Sequence, residues 1–242
     1  MNAFNDQIAV VTGAGSGIGK TVALSLAERG ATVCLVERQL NALETVASSS
    51  NGAIPGQLFS YHVDLTQDQD ITRLVTQLRA DFRRIDILIH SAGVFARGPV
   101  AQAPVADFES QYRTNVVAPY ALTQALLPML RLHRGQIVFV NSSAGLAAPE
   151  NLSQYAATKH ALRAVADSLR REVNEEGIRV LSVYLGRTAT PLQERVHEME
   201  NRTYRPKNLM QPDDVAAVII NALSLPRTAE VTEIQMRSLK PL

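Results

Sequence analysis

The sequence has little of several features that would by themselves indicate a function. Its 242 residues include a single cysteine, Cys34, so no disulfide can form within one chain. Only four residues are lysine, the arginines are scattered, and the formal net charge is +1. Without a clustered basic surface, nucleic-acid binding is not expected. No run of 18 apolar residues occurs, so we expect no membrane span.

Other common features are also missing. Residues 1–7 are polar and lead directly into a strand-like segment, which is unlike a secretory signal, so a cytoplasmic protein is expected. The histidines show no metal-ligand spacing with the cysteine, and no metal site is expected. With 46% hydrophobic residues, the chain can bury one sizeable core, and we predict a single domain over residues 1–242.

Short apolar runs alternate with longer amphipathic stretches along most of the chain. The runs predict strands at Ile8–Val11, Thr32–Val36, Leu58–Val63, Ile85–Ile89, Gln136–Val140 and Arg179–Tyr184. The amphipathic stretches predict helices near 18–29, 40–48, 67–82, 107–132 and 154–175. Strands that are apolar throughout are typical of a parallel sheet covered on both faces, so we predict an α/β fold with a doubly wound sheet.

One stretch interrupts this alternation. Residues 186–211 are polar and poorly periodic, which in a compact domain favours a substrate-binding lid segment. A helix over about 212–223 and a last strand over about 230–236 are expected to follow. About seven strands are therefore predicted in all.

A glycine-rich segment follows the first predicted strand and opens the first predicted helix. Thr12 is followed by glycines at 13, 15, 17 and 19. Such a loop lets the backbone approach a pyrophosphate, which the free N–H groups of the helix N-terminus can bind. The spacing fits T-G-x-x-x-G-x-G rather than the general dinucleotide pattern G-x-G-x-x-G.

The end of the second strand bears on cofactor choice. Glu37 lies 24 residues after Gly13, where a carboxylate can accept the adenosine ribose hydroxyls and repel a 2′-phosphate. Arg38 follows and could instead pair with that phosphate. Position 16, a second place from which a basic side chain could bind the 2′-phosphate, is occupied by serine. NAD is favoured, and NADP stays possible.

Taken together, the motifs resemble those of the classical short-chain dehydrogenase/reductase family over nearly the whole chain. The resemblance rests on the glycine loop, on Asp64, on Asn115 in Thr-Asn-Val-Val and on Ser142, Tyr155 and Lys159 in order. It implies a Rossmann-type fold with helices on both faces. It also implies catalytic residues Asn115, Ser142, Tyr155 and Lys159. The implied cofactor-binding residues are Gly13, Ser16, Gly17, Ile18, Gly19, Glu37, Arg38, Asp64, Leu65, Ala92, Gly93, Tyr155, Lys159, Gly186, Thr188 and Thr190.

Three positions need a choice or depart from the family pattern. Ser142 precedes Tyr155 by 13 residues, the family's usual spacing, and is preferred to Ser143. His90 stands where the family commonly has asparagine, and we favour a structural histidine over a catalytic one. The family's Pro-Gly after the sixth strand is here Leu185-Gly186.

The implied chemistry is carbonyl reduction or alcohol oxidation with a nicotinamide cofactor. Lys159 lies four residues after Tyr155, on the same helical face, and its charge is expected to lower the pKa of the phenol from about 10. Ser142 would hold the substrate oxygen against Tyr155. By family analogy, Asn115 would anchor a water that links Lys159 to solvent.

Two other functions are compatible with the same fold. A catalytically silent sensor or scaffold would typically lack the tyrosine or the lysine, and a lyase or epimerase would usually have a larger C-terminal domain. The resemblance also implies a homodimer or homotetramer through helices 107–132 and 154–175. The substrate, a small carbonyl or alcohol, should contact Phe95, Leu146, Leu152 and Leu192. Arg97, Glu150 and Arg195 are expected near the rim.

Overall fold

A computed structural model describes residues 3–49 and 55–239 and contains one seven-stranded sheet. The strands are β1 (Ile8–Thr12), β2 (Thr32–Glu37), β3 (Gln57–His62), β4 (Ile87–His90), β5 (Gln136–Ser142), β6 (Arg179–Leu185) and β7 (Glu233–Met236). All neighbours pair in parallel, in the order β3-β2-β1-β4-β5-β6-β7. The predicted doubly wound parallel sheet is confirmed.

Helices cover both faces of this sheet. They are α1 (Gly17–Ala27), α2 (Leu40–Ser49), α3 (Asp68–Asp81), α4 (Val105–Tyr112), α5 (Ala118–Arg131), α6 (Ser153–Val173), α7 (Pro191–Met199) and α8 (Pro212–Leu223). One core cluster joins the sheet to α1, α2 and α8, and the other joins it to α3, α5 and α6. No helix in the described part of the chain is both long and apolar enough to cross a membrane.

The central strands are buried on both faces because their side chains alternate between the two cores. In β1, Val11 packs in the cluster with α1 and α8, whereas its neighbour Val10 packs in the cluster with α3 and α5. Both valines are fully buried. Such strands must be apolar at every position, which is the pattern that the sequence showed.

The edge strand β3 differs from this expectation. Only Tyr61 of its six residues is buried, and Phe59 is 38% exposed with its ring edge-on to Phe82. An edge strand is covered by fewer neighbours, so its apolar run does not indicate burial on both faces. At the other edge, β7 is shorter than predicted and begins at Glu233.

The long helix predicted over 107–132 is interrupted. α4 ends at Tyr112, a π-helical turn follows over Arg113–Val117, and α5 begins at Ala118. A π turn accommodates one extra residue within a continuous helical path and often occurs at functional sites. Here it carries Asn115.

The polar segment 186–211 also contains regular structure that the sequence pattern did not indicate. Pro191 begins α7, and the Thr190 hydroxyl accepts a hydrogen bond from the Gln193 amide, which caps the helix. Val196 and His197 are buried on its inner side. Two buried side chains are too few to give the apolar period by which a helix is predicted.

Candidate active site

A cleft of about 760 Å³ runs along the carboxyl ends of the strands. It crosses the point where β1 separates β2 from β4 and the direction of strand succession reverses. Ligands of open parallel sheets bind at this topological switch point because the loops on its two sides diverge there. Residues that follow β1, β2, β3, β4, β5 and β6 all line the cleft.

The glycine loop forms the floor of the cleft between β1 and α1. Gly13 and Gly17 have φ angles of 65° and 52°, in the left-handed region that favours glycine. A Cβ on Gly13 would lie 2.8 Å from the backbone of Ala92, and one on Gly19 would lie 2.2 Å from the Gly13 oxygen. The absence of side chains therefore lets the loop lie close to the neighbouring backbone.

Thr12 joins the two halves of the cleft. Its buried hydroxyl accepts hydrogen bonds from the amides of Ser91 and Ala92, at 3.1 and 3.2 Å, and donates to the Ile89 carbonyl at 3.3 Å. The loop after β1 and the loop after β4 thus hold a fixed relative position. Sequence analysis did not assign this role to Thr12.

Glu37 lies at the end of β2, beside the glycine loop. One carboxylate oxygen accepts from the Gly15 amide at 3.2 Å, and the other accepts from the amides of Arg38 and Gln39 at 2.8 and 3.2 Å. These bonds fix a negative charge at the predicted adenosine end of the cleft. The Arg38 guanidinium is near enough to Asp64 to lower the pKa of its carboxyl.

Asp64 and Leu65 line the same end of the cleft after β3. Burial alone would raise the pKa of Asp64, but hydrogen bonds from the hydroxyl and amide of Thr66 outweigh it, and the pKa is lowered. The Asp64 amide donates to Asp70 at 2.9 Å. Asp64 is therefore an oriented, ionised side chain at the wall of the cleft.

Asn115 lies behind the cleft and does not line it. From the π turn it pairs with both backbone groups of Val94: its oxygen accepts from the amide at 2.9 Å, and its nitrogen donates to the carbonyl at 3.0 Å. It also donates to the Thr158 hydroxyl at 3.2 Å. Asn115 thus positions the loop after β4 against the helix that carries Tyr155 and Lys159.

Ser142 and Tyr155 meet in the middle of the cleft. Burial raises the pKa of the Tyr155 phenol to about 12, and a hydrogen bond with the Ser142 side chain opposes that rise. Ser142 also accepts from the Ala144 amide at 3.1 Å. Ser142 is therefore the serine that affects the pKa of the tyrosine, although Ser143 also lines the cleft.

Lys159 is buried one helical turn below Tyr155. Its ammonium lies 5.7 Å from the centroid of the Tyr155 ring and donates to the Val140 carbonyl at 3.4 Å. Burial lowers the pKa of Lys159 to about 8. The expected lowering of the tyrosine pKa by this lysine is not found, because burial raises the pKa of the phenol and only the hydrogen bond with Ser142 lowers it.

His90 is part of the core rather than of the cleft. Its ring stacks on Phe139 with centroids 4.9 Å apart, and its Nε2 pairs with the Thr123 hydroxyl at 2.8 Å. Burial lowers the pKa of His90 to about 3, so the imidazole is neutral. This arrangement agrees with a structural histidine.

The segment after β6 closes the cleft on its far side. Gly186, Thr188 and Thr190 all line the cleft, and Thr188 forms a bridge with Met210. The Thr190 side chain approaches the glycine loop, since a Cβ on Gly17 would lie 2.9 Å from its methyl group. The predicted nicotinamide segment therefore faces the predicted pyrophosphate loop across the cleft.

The outer end of the cleft combines apolar side chains with an ion-pair group. Phe95 packs edge-on against the Tyr155 ring with centroids 4.8 Å apart. Further out, Arg97 and Arg187 both pair with Glu200. Neither the role of Arg187 nor this group was predicted, because its members are more than 10 residues apart in the chain and belong to no motif.

The cleft gathers most of the predicted site residues and leaves a few out. Gly19 lies beneath the glycine loop and Asn115 behind the wall, so neither lines the cleft. Of the residues expected around the substrate, Leu146 and Glu150 are also outside the lining. Backbone-lined positions such as Ser91 were missed because their side chains carry no distinctive chemistry.

Comparisons with known proteins agree with this geometry. The family profile described as short chain dehydrogenase matches residues 7–201. An uncharacterized oxidoreductase of Staphylococcus saprophyticus is 30% identical over 97% of this chain and 98% of its own. The bovine dehydrogenase/reductase SDR family member 11 is 29% identical, covering 98% of both chains. A Shigella flexneri short chain dehydrogenase structure, complexed with NADP, superposes with a TM-score of 0.87 at 29% identity, covering 97% of this chain and 98% of that one.

Proposed function

Because the chain belongs to the short chain dehydrogenase family, we propose that it catalyses hydride transfer between a nicotinamide cofactor and a carbonyl or secondary alcohol. The observation that carries this proposal is that Tyr155, Ser142 and Lys159 line the same cleft as the glycine loop. A proton donor, a hydrogen-bond donor for the substrate oxygen and a phosphate-binding loop thus share one space.

The residues of the cleft fit a dinucleotide along its length. The space above Gly13 and Gly17 would be filled by side chains at those positions. We propose that this loop and the amides of Ser16 and Ile18 at the start of α1 hold the pyrophosphate. Glu37, Arg38, Asp64 and Leu65 would hold the adenosine end. Ala92, Gly93, Lys159, Gly186, Thr188 and Thr190 would hold the nicotinamide end. When bound, the cofactor supplies or accepts the hydride.

In the reducing direction, Tyr155 donates its phenolic proton to the carbonyl oxygen while the carbonyl carbon receives the hydride. Ser142 donates a hydrogen bond to the same oxygen and orients it. Lys159 stabilises the resulting phenolate by its charge, and proton uptake from solvent restores the phenol. Alcohol oxidation follows the same steps in reverse. Asn115 acts through position, because its amide fixes Val94 and contacts Thr158.

We favour NAD over NADP for this cleft. Three backbone amides hold the Glu37 carboxylate at the adenosine end, and a fixed negative charge there repels a 2′-phosphate. NADP is the alternative, supported by Arg38 and by the NADP in the Shigella flexneri relative. The two are separated by titrating each cofactor into the wild type.

We further propose that one domain spans the chain, with 186–211 as a lid, and that the chain forms a homodimer or homotetramer. Support for assembly comes from exposed apolar side chains on α4 and α5, namely Val105, Tyr112 and Tyr120. In a light-scattering measurement, a mass of only 26.4 kDa, the mass of one chain, would contradict assembly.

Replacement of Tyr155 by phenylalanine tests the proposed reaction. The variant keeps the ring that packs on Phe95 but loses the proton donor, so turnover should fall roughly a hundredfold or more. Cofactor affinity, measured by calorimetry, should stay near the wild-type value. A panel of alcohols and carbonyls, assayed with both cofactors at the absorbance of the reduced nicotinamide, provides the substrate. Full activity of Tyr155→Phe would refute this mechanism.

A further inference from the structure

The outer end of the cleft has an excess of positive charge. Three arginines, Arg97, Arg187 and Arg202, pair with a single carboxylate, Glu200, and a fourth, Arg195, lines the same cleft. We name these five residues the arginine cluster. Three of the arginines line the main cleft, and Arg202 lines an adjoining cavity of about 470 Å³ that shares Arg97 and Glu200 with it. One carboxylate leaves three positive charges of the cluster uncompensated.

Glu200 is largely buried and tightly held. Arg187 contacts both of its oxygens, at 2.7 and 2.8 Å, and Arg97 contacts one of them at 2.6 Å. Burial alone would raise the pKa of the Glu200 carboxyl, but the hydrogen bond from Arg187 and the neighbouring guanidinium charges lower it. The two-point contact with Arg187 already satisfies the geometry of a carboxylate. Arg97 therefore adds charge beyond what one ion pair needs.

Arg195 adds further uncompensated charge. Its side chain projects from α7, lines the cleft and is exposed, and within residues 3–49 and 55–239 it forms neither an ion pair nor a hydrogen bond. The two acidic residues of α7, Glu194 and Glu198, are exposed and line neither cavity. They leave the charge of Arg195 at the cleft without a fixed partner.

Apolar side chains line the same cleft as Tyr155 and the arginine cluster. Phe95 packs on the Tyr155 ring, and Leu152, Leu192 and Val196 also line the cleft. A ligand that reaches from Tyr155 to the arginine cluster would therefore pass an apolar section and end among guanidinium groups. A wholly apolar ligand would leave those charges without a counter-ion in a partly desolvated space, which is unfavourable.

We propose that the substrate carries an anionic group, a carboxylate or a phosphate, at the end opposite its reacting carbonyl or alcohol, and that Arg97 and Arg195 bind this group. The part that concerns the reacting group rests on the proposed function. Guanidinium groups bind both anions through paired N–H donors. The segment between the two ends of the substrate is apolar, in keeping with Phe95 and the leucines.

Calorimetry on the cofactor-loaded protein tests this without requiring turnover. The probes are 3-phenylpropionate, 2-phenylethyl phosphate and the neutral 3-phenylpropionamide. At least one anion should bind roughly ten to a hundred times more tightly than the amide, the effect of one charge-assisted hydrogen bond. The tighter of the two anions identifies the group. Equal affinity for all three probes would overturn the proposal.

Two variants localise the effect. Arg195→Gln removes a side chain that forms no ion pair or hydrogen bond in the described part of the chain, and Arg97→Gln removes one of the two closest ion pairs of Glu200. Each substitution should lower the affinity for the anionic probe roughly tenfold and leave the affinity for the neutral amide unchanged. Arg171→Gln on the exposed side of α6 is the matched control. If both cleft variants bind the anion like the control, the cluster is structural and the proposal fails.

A failure of the proposed function would look different. The keto acid 3-benzoylpropionate and its methyl ester are then assayed for reduction. Preference for the acid by kcat/KM, lost in Arg195→Gln, supports both proposals. Selective binding of the anion, with no hydride transfer to either compound or to any carbonyl of the panel, would contradict the proposed reaction and leave the anion site standing.

Discussion

The ammonium of Lys159 lies 5.7 Å from the centre of the Tyr155 ring, and its hydrogen bond goes to the carbonyl of Val140. The lysine is thus placed beneath the ring of the tyrosine, one helical turn away, and both groups respond mainly to burial. The pKa of the phenol is raised to about 12 and that of the ammonium is lowered to about 8. Near neutral pH, the phenol is therefore neutral and the ammonium is charged.

This relationship predicts a pH-dependent effect of Lys159→Met. Below the lysine pKa of about 8, the charge favours the phenolate that accepts the proton in alcohol oxidation. Its loss should lower kcat/KM at pH 7 by roughly tenfold or more, because one pKa unit of the tyrosine corresponds to a factor of ten. Above pH 8 the lysine is neutral in the wild type too, so the difference in kcat/KM between the wild type and the variant should narrow towards pH 9.5. A deficit that stays constant from pH 6 to 9.5 would contradict a role through charge.

Cofactor preference should change in Glu37→Gln. The glutamine oxygen can still accept from the Arg38 and Gln39 amides, which share one oxygen of Glu37, but the bond from the Gly15 amide to the other oxygen is lost and so is the negative charge. The ratio of kcat/KM with NADP to that with NAD should then rise roughly tenfold, equal to about 1.4 kcal/mol. Glu44→Gln, on the exposed side of α2, is the control. A wild type that already prefers NADP would assign the choice to Arg38.

His90 should make stability depend on pH. Its pKa in the fold is about 3, below the 6.5 of an unperturbed histidine, so the neutral ring is favoured in the folded chain. The contribution of this ring to the free energy of unfolding is fully present above pH 6.5. It is lost as the pH falls towards 3, by about 1.4 kcal/mol for each pH unit. His90→Asn removes this titration. Urea unfolding from pH 7 to 4.5 should show a shallower loss of stability in the variant, and equal slopes would exclude the histidine as the cause.

The segment 190–208 is predicted to become more protected when ligands bind. It holds two buried side chains on α7 and is tied to the cleft by Glu200, so its attachments are few. Amide exchange over 192–199 should slow roughly tenfold or more with cofactor plus substrate. Amides of α3, remote from this segment, give the control. Unchanged exchange in α7 would make the segment a fixed wall instead of a lid.

Sequence patterns predicted the parts of this molecule that depend on local chemistry. Six strands and the glycine loop follow from apolar runs and from spacing, whereas the preference for Ser142 over Ser143 rests on the family's usual separation of 13 residues from the tyrosine. What the patterns missed depends on three-dimensional packing. The π turn at Asn115 lies in a stretch that is apolar on more than one face, so the sequence pattern does not reveal the inserted residue, and α7 buries too few side chains to show an apolar period. Likewise, Arg97 and Glu200 are 103 residues apart and meet only because loops after β4 and β6 converge.

The hydrogen bonds of Thr12 join parts of the cleft that are synthesised at different times. The residue ends β1, yet its partners Ser91 and Ala92 lie 79 and 80 residues later, and β1 pairs with β4 over a similar separation. During synthesis, the glycine loop is made early and stays without its far wall until β4 has left the ribosome. Contacts over such long separations slow folding, because the loop-closure entropy is lost before they form. Nucleotide binding therefore becomes possible only after the two halves of the sheet have joined, and it reports on completed folding.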